Sequence, residues 1–119
     1  MRGLGELEAA VMDVLWQHAE PLRVREVLAE LAPRRTLAYT TVMTVLDNLH
    51  RKGWVTRELD GRAFLYRPVA SRELVTARAL RDLLDASEDV DAVLLHFARS
   101  VSEHESAVLR DALGPEDRS

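Results

Sequence analysis

One stretch of this chain, residues 38–66, constrains its fold more than any other. It reads AYTTVMTVLDNLHRKGWVTRELDGRAFLY. A helical pattern with a threonine-rich outer side runs into Arg-Lys-Gly, and two short strand patterns then flank Asp60-Gly61. This order is typical of a winged helix-turn-helix, which offers one helix to a DNA groove and a hairpin to the DNA backbone. The stretch therefore predicts DNA-binding regulation and disfavours catalysis.

Hydrophobic periodicity predicts three helices before the hairpin. Pro33 should stop the second helix, and Gly53 should close the third as its C-terminal cap. Leu22-Arg23, just before the second helix, is compatible with a short strand. The first and third predicted helices cover about 5–18 and 38–52, and the second is carried by Val24, Val27, Leu28 and Leu31. The core-facing stripe of the third helix is predicted to be Val42, Val45, Leu46 and Leu49.

The hairpin prediction rests on Asp60-Gly61, a strong signal for a two-residue type I′ turn. The flanking strands would be 54–59 and 62–67, with Leu59 facing Arg62 across the turn. This hairpin is called the wing, and its tip would project Asp60, Gly61 and Arg62 into solvent. The core-facing side of the wing is predicted to carry Val55, Phe64 and Tyr66.

The outer side of the third helix, with its basic end and the wing tip, forms the predicted DNA-binding surface. Threonine supplies a hydroxyl for phosphates or base edges and a methyl group for thymine. Several outward threonines are unusual in a helix, because β-branched residues lower helix propensity. The basic side chains are interpreted as phosphate contacts that position the protein. The predicted DNA-binding residues are Tyr39, Thr40, Thr41, Met43, Thr44, Arg51, Lys52 and Arg62.

Asp47 opposes this interpretation, because a carboxylate repels phosphates. Arg51, four residues further along the helix, is placed to neutralise it. An ordinary solvated face is the alternative, although such a face usually carries Glu, Lys and Gln rather than threonine. Further candidates for backbone contact are Arg34, Arg35, Arg57 and Arg67.

The net charge of −4 suits a DNA-binding protein only when it is divided along the chain. Residues 1–70 carry ten basic and nine acidic side chains, whereas residues 71–119 carry six basic and eleven acidic ones. Within 34–67 there are seven basic and three acidic side chains, a local charge of +4. A local positive field is what phosphate contact requires.

From Ser71 onward the pattern is helical only, with N-caps predicted at Ser71, Ser87 and Ser102. Three short helices that each carry an apolar stripe cannot close an independent core. The stripes are therefore expected to pack on a second copy of the chain, as a homodimer with two-fold symmetry. The predicted dimer interface comprises Leu74, Leu84, Val90, Val93, Leu94, Phe97, Val101, Leu109 and Leu113.

The predicted fold class is mainly α with a small β-hairpin wing. The predicted domains are a winged helix-turn-helix head at 1–70, a helical dimerisation arm at 71–114 and a frayed tail at 115–119.

Composition argues against metal chemistry, cofactors and membranes. The chain has no cysteine, which excludes disulfides, iron–sulfur clusters and thiolate zinc sites. His104-Glu105 begins like a zinc-protease motif, but Val108 stands where the second histidine ligand would be. We therefore expect no cofactor, no metal and no enzymatic activity. No apolar run approaches the ~20 residues of a membrane span, and no signal peptide pattern opens the chain, so a cytoplasmic location without membrane insertion is expected.

Four stretches resemble the penicillinase-repressor family (the BlaI/MecI type), bacterial regulators of β-lactamase or antibiotic-resistance genes. They are LGELEAAVMDVLW at 4–16, YTTVMTVLDNLHRKGWV at 39–55, DGRAFLYRPV at 60–69 and LLHF at 94–97. The resemblance implies a dimeric transcriptional repressor that binds double-stranded DNA at an inverted-repeat operator.

The same resemblance implies how repression is relieved. Repressors of this family are inactivated by proteolysis within the dimerisation arm, triggered by a membrane metalloprotease that senses β-lactams. The cleaved bond is typically Asn–Phe, and the matching position here reads His96-Phe97. His96 and Phe97 are therefore the candidate cleavage residues, with a departure from the family at the first of them.

Two other functions share these features. A winged helix can serve as a protein–protein interaction module, and an adaptor facing an acidic partner would carry the same +4 segment. A repressor that senses a small molecule in a pocket between head and arm is the third possibility.

Overall fold

The computed structural model describes residues 3–114. Along these described residues, three helices, one hairpin and three further helices follow each other, which confirms the predicted fold class. The tail at 115–119 lies outside the described residues. The elements are α1 (Glu6–Trp16), α2 (Val24–Leu31), α3 (Tyr39–Arg51), β1 (Val55–Asp60), β2 (Ala63–Pro68), α4 (Arg72–Ala86), α5 (Val90–Ser100) and α6 (Glu103–Leu113).

The chain forms two compact units, one ending at Ala79 and the next beginning at Leu80. This division falls inside α4, whereas the predicted boundary between head and arm falls just before α4 begins. The predicted boundary concerns function and stays a prediction.

The core of the first unit is built by α1, α2, α3 and the hairpin. The predicted stripe of α3 is confirmed, because all four of its members are buried. No polar or charged side chain is buried among the described residues, so this core is held by apolar packing. The buried residues are Val11, Met12, Val14, Leu15, Leu22, Val24, Val27, Leu31, Val42, Val45, Leu46, Leu49, Val55 and Tyr66.

The β1–β2 hairpin is antiparallel, and one residue of the preceding loop joins it. Leu22 forms an isolated bridge with Tyr66, with backbone N–H···O distances of 2.9 and 2.8 Å. The short strand expected at Leu22-Arg23 is thus reduced to this bridge. It attaches the loop before α2 to the wing.

The predicted turn of the hairpin was wrong. Asp60 pairs with Ala63 and Leu59 with Phe64, so the two turn residues are Gly61-Arg62 rather than Asp60-Gly61. Gly61 has φ +69°, and among the described residues only glycines have positive φ. A type I′ turn needs positive φ at both central residues, whereas type II′ needs it only at the first, as here. The pairing shifts by two residues, so Val55, Phe64 and Tyr66 still share one side of the wing.

The helix ends follow local capping rules with one exception. Gly53 follows α3 with φ +84°, as expected of a C-terminal cap. Ser71 and Ser102 accept hydrogen bonds from Leu74 N–H and Glu105 N–H at 3.1 and 3.0 Å. The prediction that Ser87 caps α5 was wrong, because Asp89 accepts from Ala92 N–H at 3.0 Å instead.

The helices α4, α5 and α6 contain no buried residue. Their apolar side chains are exposed or half-buried within the single chain. Among the described residues, no helix has the length and hydrophobicity needed to cross a lipid bilayer.

Candidate nucleic-acid interface

The outer side of α3 presents a cluster of side chains directed away from the head's core. Its buried stripe occupies the other side of the helix. The tyrosine and the methionine of the cluster are 47% and 42% exposed, and its three threonines are exposed as well. The structure thus brings the five predicted contacts of this helix onto one accessible surface. They are Tyr39, Thr40, Thr41, Met43 and Thr44.

The N-terminus of α3 is open. Ala38, at its N-cap, has no side-chain acceptor, and the first turn contains no acidic residue. In contrast, Glu8 and Glu26 bond back to the backbone N–H groups that precede α1 and α2, at 2.9 and 2.7 Å. Free N–H groups at a helix start favour anions. This end of α3 is therefore suited to a phosphate.

The two basic residues at the C-terminal end of α3 differ in how they are engaged. Arg51 is largely exposed, bonds to Asn48 and lies 3.7 Å from Asp47. Lys52 Nζ lies 2.9 Å from Glu8 Oε1 on α1, so its charge is shared with an internal carboxylate. Arg51 is the better placed of the two for a phosphate.

Arg62 occupies the turn of the wing and is exposed. Within residues 3–114 its side chain has no hydrogen bond or ion pair. The neighbouring Asp60 is paired with Arg23, which precedes α2. Asp60 thus connects the wing tip to the start of α2, whereas the charge of Arg62 remains available to a ligand.

A contact between α3 and the wing was not anticipated from the sequence. Asp47 Oδ1 lies 3.0 Å from Arg57 Nη1 on β1, and the Arg57 guanidinium stacks 4.2 Å from the centroid of the Phe64 ring. Hydrogen bonding, first from Tyr66 and then from Asp47, raises the pKa of Arg57, a guanidinium that is positively charged at physiological pH in either case. No local sequence signal identifies the pair, because its members are ten residues apart on different elements.

Between α3 and the wing lies an open depression of about 340 Å³. It runs beside the exposed threonine surface, and its rim combines apolar side chains with one acidic and one basic group. Its lining residues are Met43, Thr44, Asp47, Arg57, Phe64 and Tyr66. Within residues 3–114, no cluster of His, Asp and Glu is arranged to hold a metal ion.

In the arm, none of the predicted interface residues is buried in the single chain. Leu84, Val90 and Val101 are half-buried and the others are exposed. The candidate cleavage bond, His96-Phe97, lies inside α5, and both of its residues are exposed.

The sequence model of the penicillinase repressor family matches residues 4–114, which include both head and arm. The chain belongs to the penicillinase repressor family. This confirms the resemblance drawn from the four sequence stretches. Members of this family are transcriptional repressors, which are not an enzyme class.

Comparison with one related protein and one solved structure supports the same assignment to the penicillinase repressor family. The transcriptional regulator BlaI of Mycobacterium tuberculosis is 47% identical over 113 residues, covering 92% of this chain and 82% of its own. The solution structure of the DNA-binding domain of the repressor BlaI is 31% identical, with a TM-score of 0.53, and covers 59% of this chain and 84% of that one.

A second solved structure is the monomeric form of Bacillus licheniformis BlaI in complex with the blaP half-operator. It is 31% identical with a TM-score of 0.50, and it covers 59% of this chain and 84% of that one. Both structures are of BlaI repressors, and the chain shares their winged-helix fold over 59% of its length.

Proposed function

We propose that this penicillinase repressor family member acts as a homodimer that binds an inverted-repeat operator, with α3 in the major groove and the wing on the DNA backbone. The observation that carries the proposal is the row of exposed threonines on α3, opposite its buried stripe. Hydroxyl and methyl groups on one accessible helix face suit base edges and phosphates. The open helix start suits a flanking phosphate, as does Arg62, which has no side-chain partner within residues 3–114.

The arm supports the dimeric part of the proposal. Its helices leave leucine, valine and phenylalanine side chains exposed, including Leu94 at 46% and Phe97 at 54%. Covering exposed apolar stripes of this kind with a second copy lowers the free energy of the dimer relative to two separate chains. A two-fold dimer would present two α3 helices to half-sites whose centres lie about one helical turn, ~34 Å, apart or a small multiple of it. As a DNA-binding protein it would act in the cytoplasm.

Two substitutions separate sequence recognition from backbone contact. Thr44→Ala should relax sequence preference at one base position by about 1–3 kcal/mol, because it removes a hydroxyl and a methyl group from the groove surface. Arg62→Ala should weaken binding to all duplexes about equally, and because the dimer carries two copies it should reduce the magnitude of the slope of log affinity against log salt by about 2. Both are measured by fluorescence anisotropy, at several salt concentrations, on a duplex selected from a random library.

The matched controls lie on α4. Thr76→Ala removes an exposed threonine, and Arg78→Ala removes an exposed arginine, both outside the proposed surface. Neither substitution should change the sequence preference or the slope of log affinity against log salt. Affinity that does not depend on ionic strength would contradict the proposed phosphate contacts. If Arg62→Ala lost sequence preference and Thr44→Ala weakened binding to all duplexes equally, the assignment would be reversed: Arg62 would recognise bases and Thr44 would contact the backbone.

Relief of repression would occur by cleavage in the arm, which would link the protein to a β-lactam-sensing membrane metalloprotease and to resistance genes. Cutting between His96 and Phe97 would divide α5, separating Val93 and Leu94 from Phe97. The dimer stripe would then be interrupted at its middle. Mass spectrometry of the protein from cells exposed to a β-lactam should find a fragment ending at His96. Derepression with the chain intact would contradict this route.

A further inference from the structure

One carboxylate lies within the surface proposed to face DNA. Asp47 is on α3, three residues after Thr44, and its side chain is 48% exposed. A negative charge near phosphates is repulsive, and a DNA-binding surface gains nothing from it by charge alone. Its contacts indicate another use.

Asp47 lies between two arginines from two different elements. Its Oδ1 is 3.0 Å from Arg57 Nη1 on the wing, and its Oδ2 is 3.7 Å from Arg51 Nε on α3. The Arg57 side chain is only 24% exposed, since it is also held over the Phe64 ring. One carboxylate thus restrains two cations and joins the helix to the wing.

We infer that Asp47 is a specificity-determining residue that keeps Arg51 and Arg57 from binding phosphates of any sequence. The inference rests on the proposed function. With Asp47 ionised, the three groups carry a net charge of +1, whereas two unrestrained arginines would carry +2. Non-specific binding depends on this charge, because each phosphate neutralised adds about 0.9 to the salt slope. Binding to a duplex of the preferred sequence depends also on where the two arginines are held. Removing the charge of Asp47 therefore adds electrostatic attraction to this duplex but loosens the positioning of the two arginines.

Asp47→Asn tests the inference because it keeps the shape and removes the charge. We expect affinity for a scrambled duplex to rise by about 3- to 10-fold, with a salt slope steeper by about 2 because the dimer carries the substitution twice. Affinity for the duplex selected with the unmodified protein should change less. The ratio between the two duplexes should therefore fall by about 3- to 10-fold.

Asp13→Asn is the matched control. Asp13 on α1 is 50% exposed and pairs with Arg72 at 3.0 Å, so the control removes the same charge and an equivalent ion pair outside the α3 surface. It should leave the ratio unchanged. An equal effect of both substitutions would overturn the inference, because total charge would then explain it.

A second measurement places Asp47→Asn in an Arg57→Gln background. If Asp47 acts by restraining Arg57, the gain in non-specific affinity should be smaller there than in the unmodified protein. A full gain would overturn the role of Arg57. Circular dichroism of each variant reports whether the fold is retained.

The remaining outcomes are also distinct. If Asp47→Asn weakened only the selected duplex, Asp47 would be contacting a base directly, as a carboxylate does with the amino group of cytosine, and the inference would be overturned. If the unmodified protein bound no duplex at all, the proposed function would fail instead.

Discussion

The head and the arm are both built from amphipathic helices, but they use their apolar stripes differently. Among the described residues, fourteen apolar side chains are buried in α1, α2, α3, the hairpin and the adjoining loop, and none is buried in α4, α5 or α6. Helices whose stripes meet within one chain fold independently of concentration, whereas exposed stripes gain stability only from a partner. The same sequence pattern therefore builds a core in one region and leaves exposed apolar stripes in the other, which we propose are covered by a second copy.

The largest effect should come from a charge placed in the arm. Leu94→Asp would bury a carboxylate in the proposed seam, at a cost of about 3–5 kcal/mol for each copy, and the two-fold symmetry introduces it twice. Sedimentation velocity should show a monomer where the unmodified protein is a dimer.

The control for this substitution is Val69→Asp. Val69 is a 55% exposed apolar residue that lies outside the arm. Its substitution should leave the dimer intact, although it introduces the same charge. A dimer that survives Leu94→Asp would assign the interface to another surface and remove the contrast between the two regions.

The next effect concerns the head's own core. Leu46 is fully buried, so Leu46→Ala should lower the free energy of unfolding by about 2–5 kcal/mol through lost transfer energy and the cavity left behind. Both tryptophans, Trp16 and Trp54, lie in the head, so their fluorescence reports unfolding there. Guanidinium titrations at two protein concentrations should show the same loss at both.

Leu94→Ala is the paired measurement in the arm. It should change the tryptophan signal little and should weaken dimerisation in proportion to the apolar area removed. If instead Leu46→Ala lost stability only at low protein concentration, the head would depend on the dimer for folding. The inference that the head folds independently of the arm would then be wrong.

The smallest effect is a pH dependence at the start of α1. The Gly5 N–H group, followed by Lys52, holds the pKa of Glu8 below its ordinary value of 4.5. Because the pKa is lower in the folded state, the stability due to Glu8 is present above pH 4.5 and is lost as pH falls through the folded pKa. Glu8→Gln should therefore lower the free energy of unfolding by about 1 kcal/mol at pH 7 and by less at pH 3.

Glu6→Gln is the control, since Glu6 lies in the same turn but has no side-chain hydrogen bond or ion pair within residues 3–114. Its effect should be small at both pH values. An equal loss for Glu8→Gln at pH 7 and pH 3 would show that packing, and not the charge, is responsible.

Local patterns were sufficient for the buried side of α3 and for most helix ends, although they placed the N-cap of α5 at Ser87 instead of Asp89. The periodicity of α3 identified Val42, Val45, Leu46 and Leu49 as its buried side, and the structure agrees. Gly53 and Ser102 mark helix ends through their own backbone and side-chain chemistry. The prediction failed at the turn because Asp60-Gly61 is a strong local signal that tertiary contacts override. Asp60 remains in β1, pairs with Ala63 and contacts Arg23, the N-cap residue of α2.

The sequence by itself determined the kind of protein this is: winged-helix head, helical arm, exposed threonines on α3 and membership of the penicillinase repressor family. These follow from periodicity, capping residues and turn glycines, which act over a few neighbouring positions. Only the tertiary structure decided which charges are free. It paired Lys52 with Glu8 and Arg57 with Asp47, and it left Arg62 without an internal partner among the described residues. Ion pairs between elements depend on how those elements pack, because charges attract through space and not along the chain.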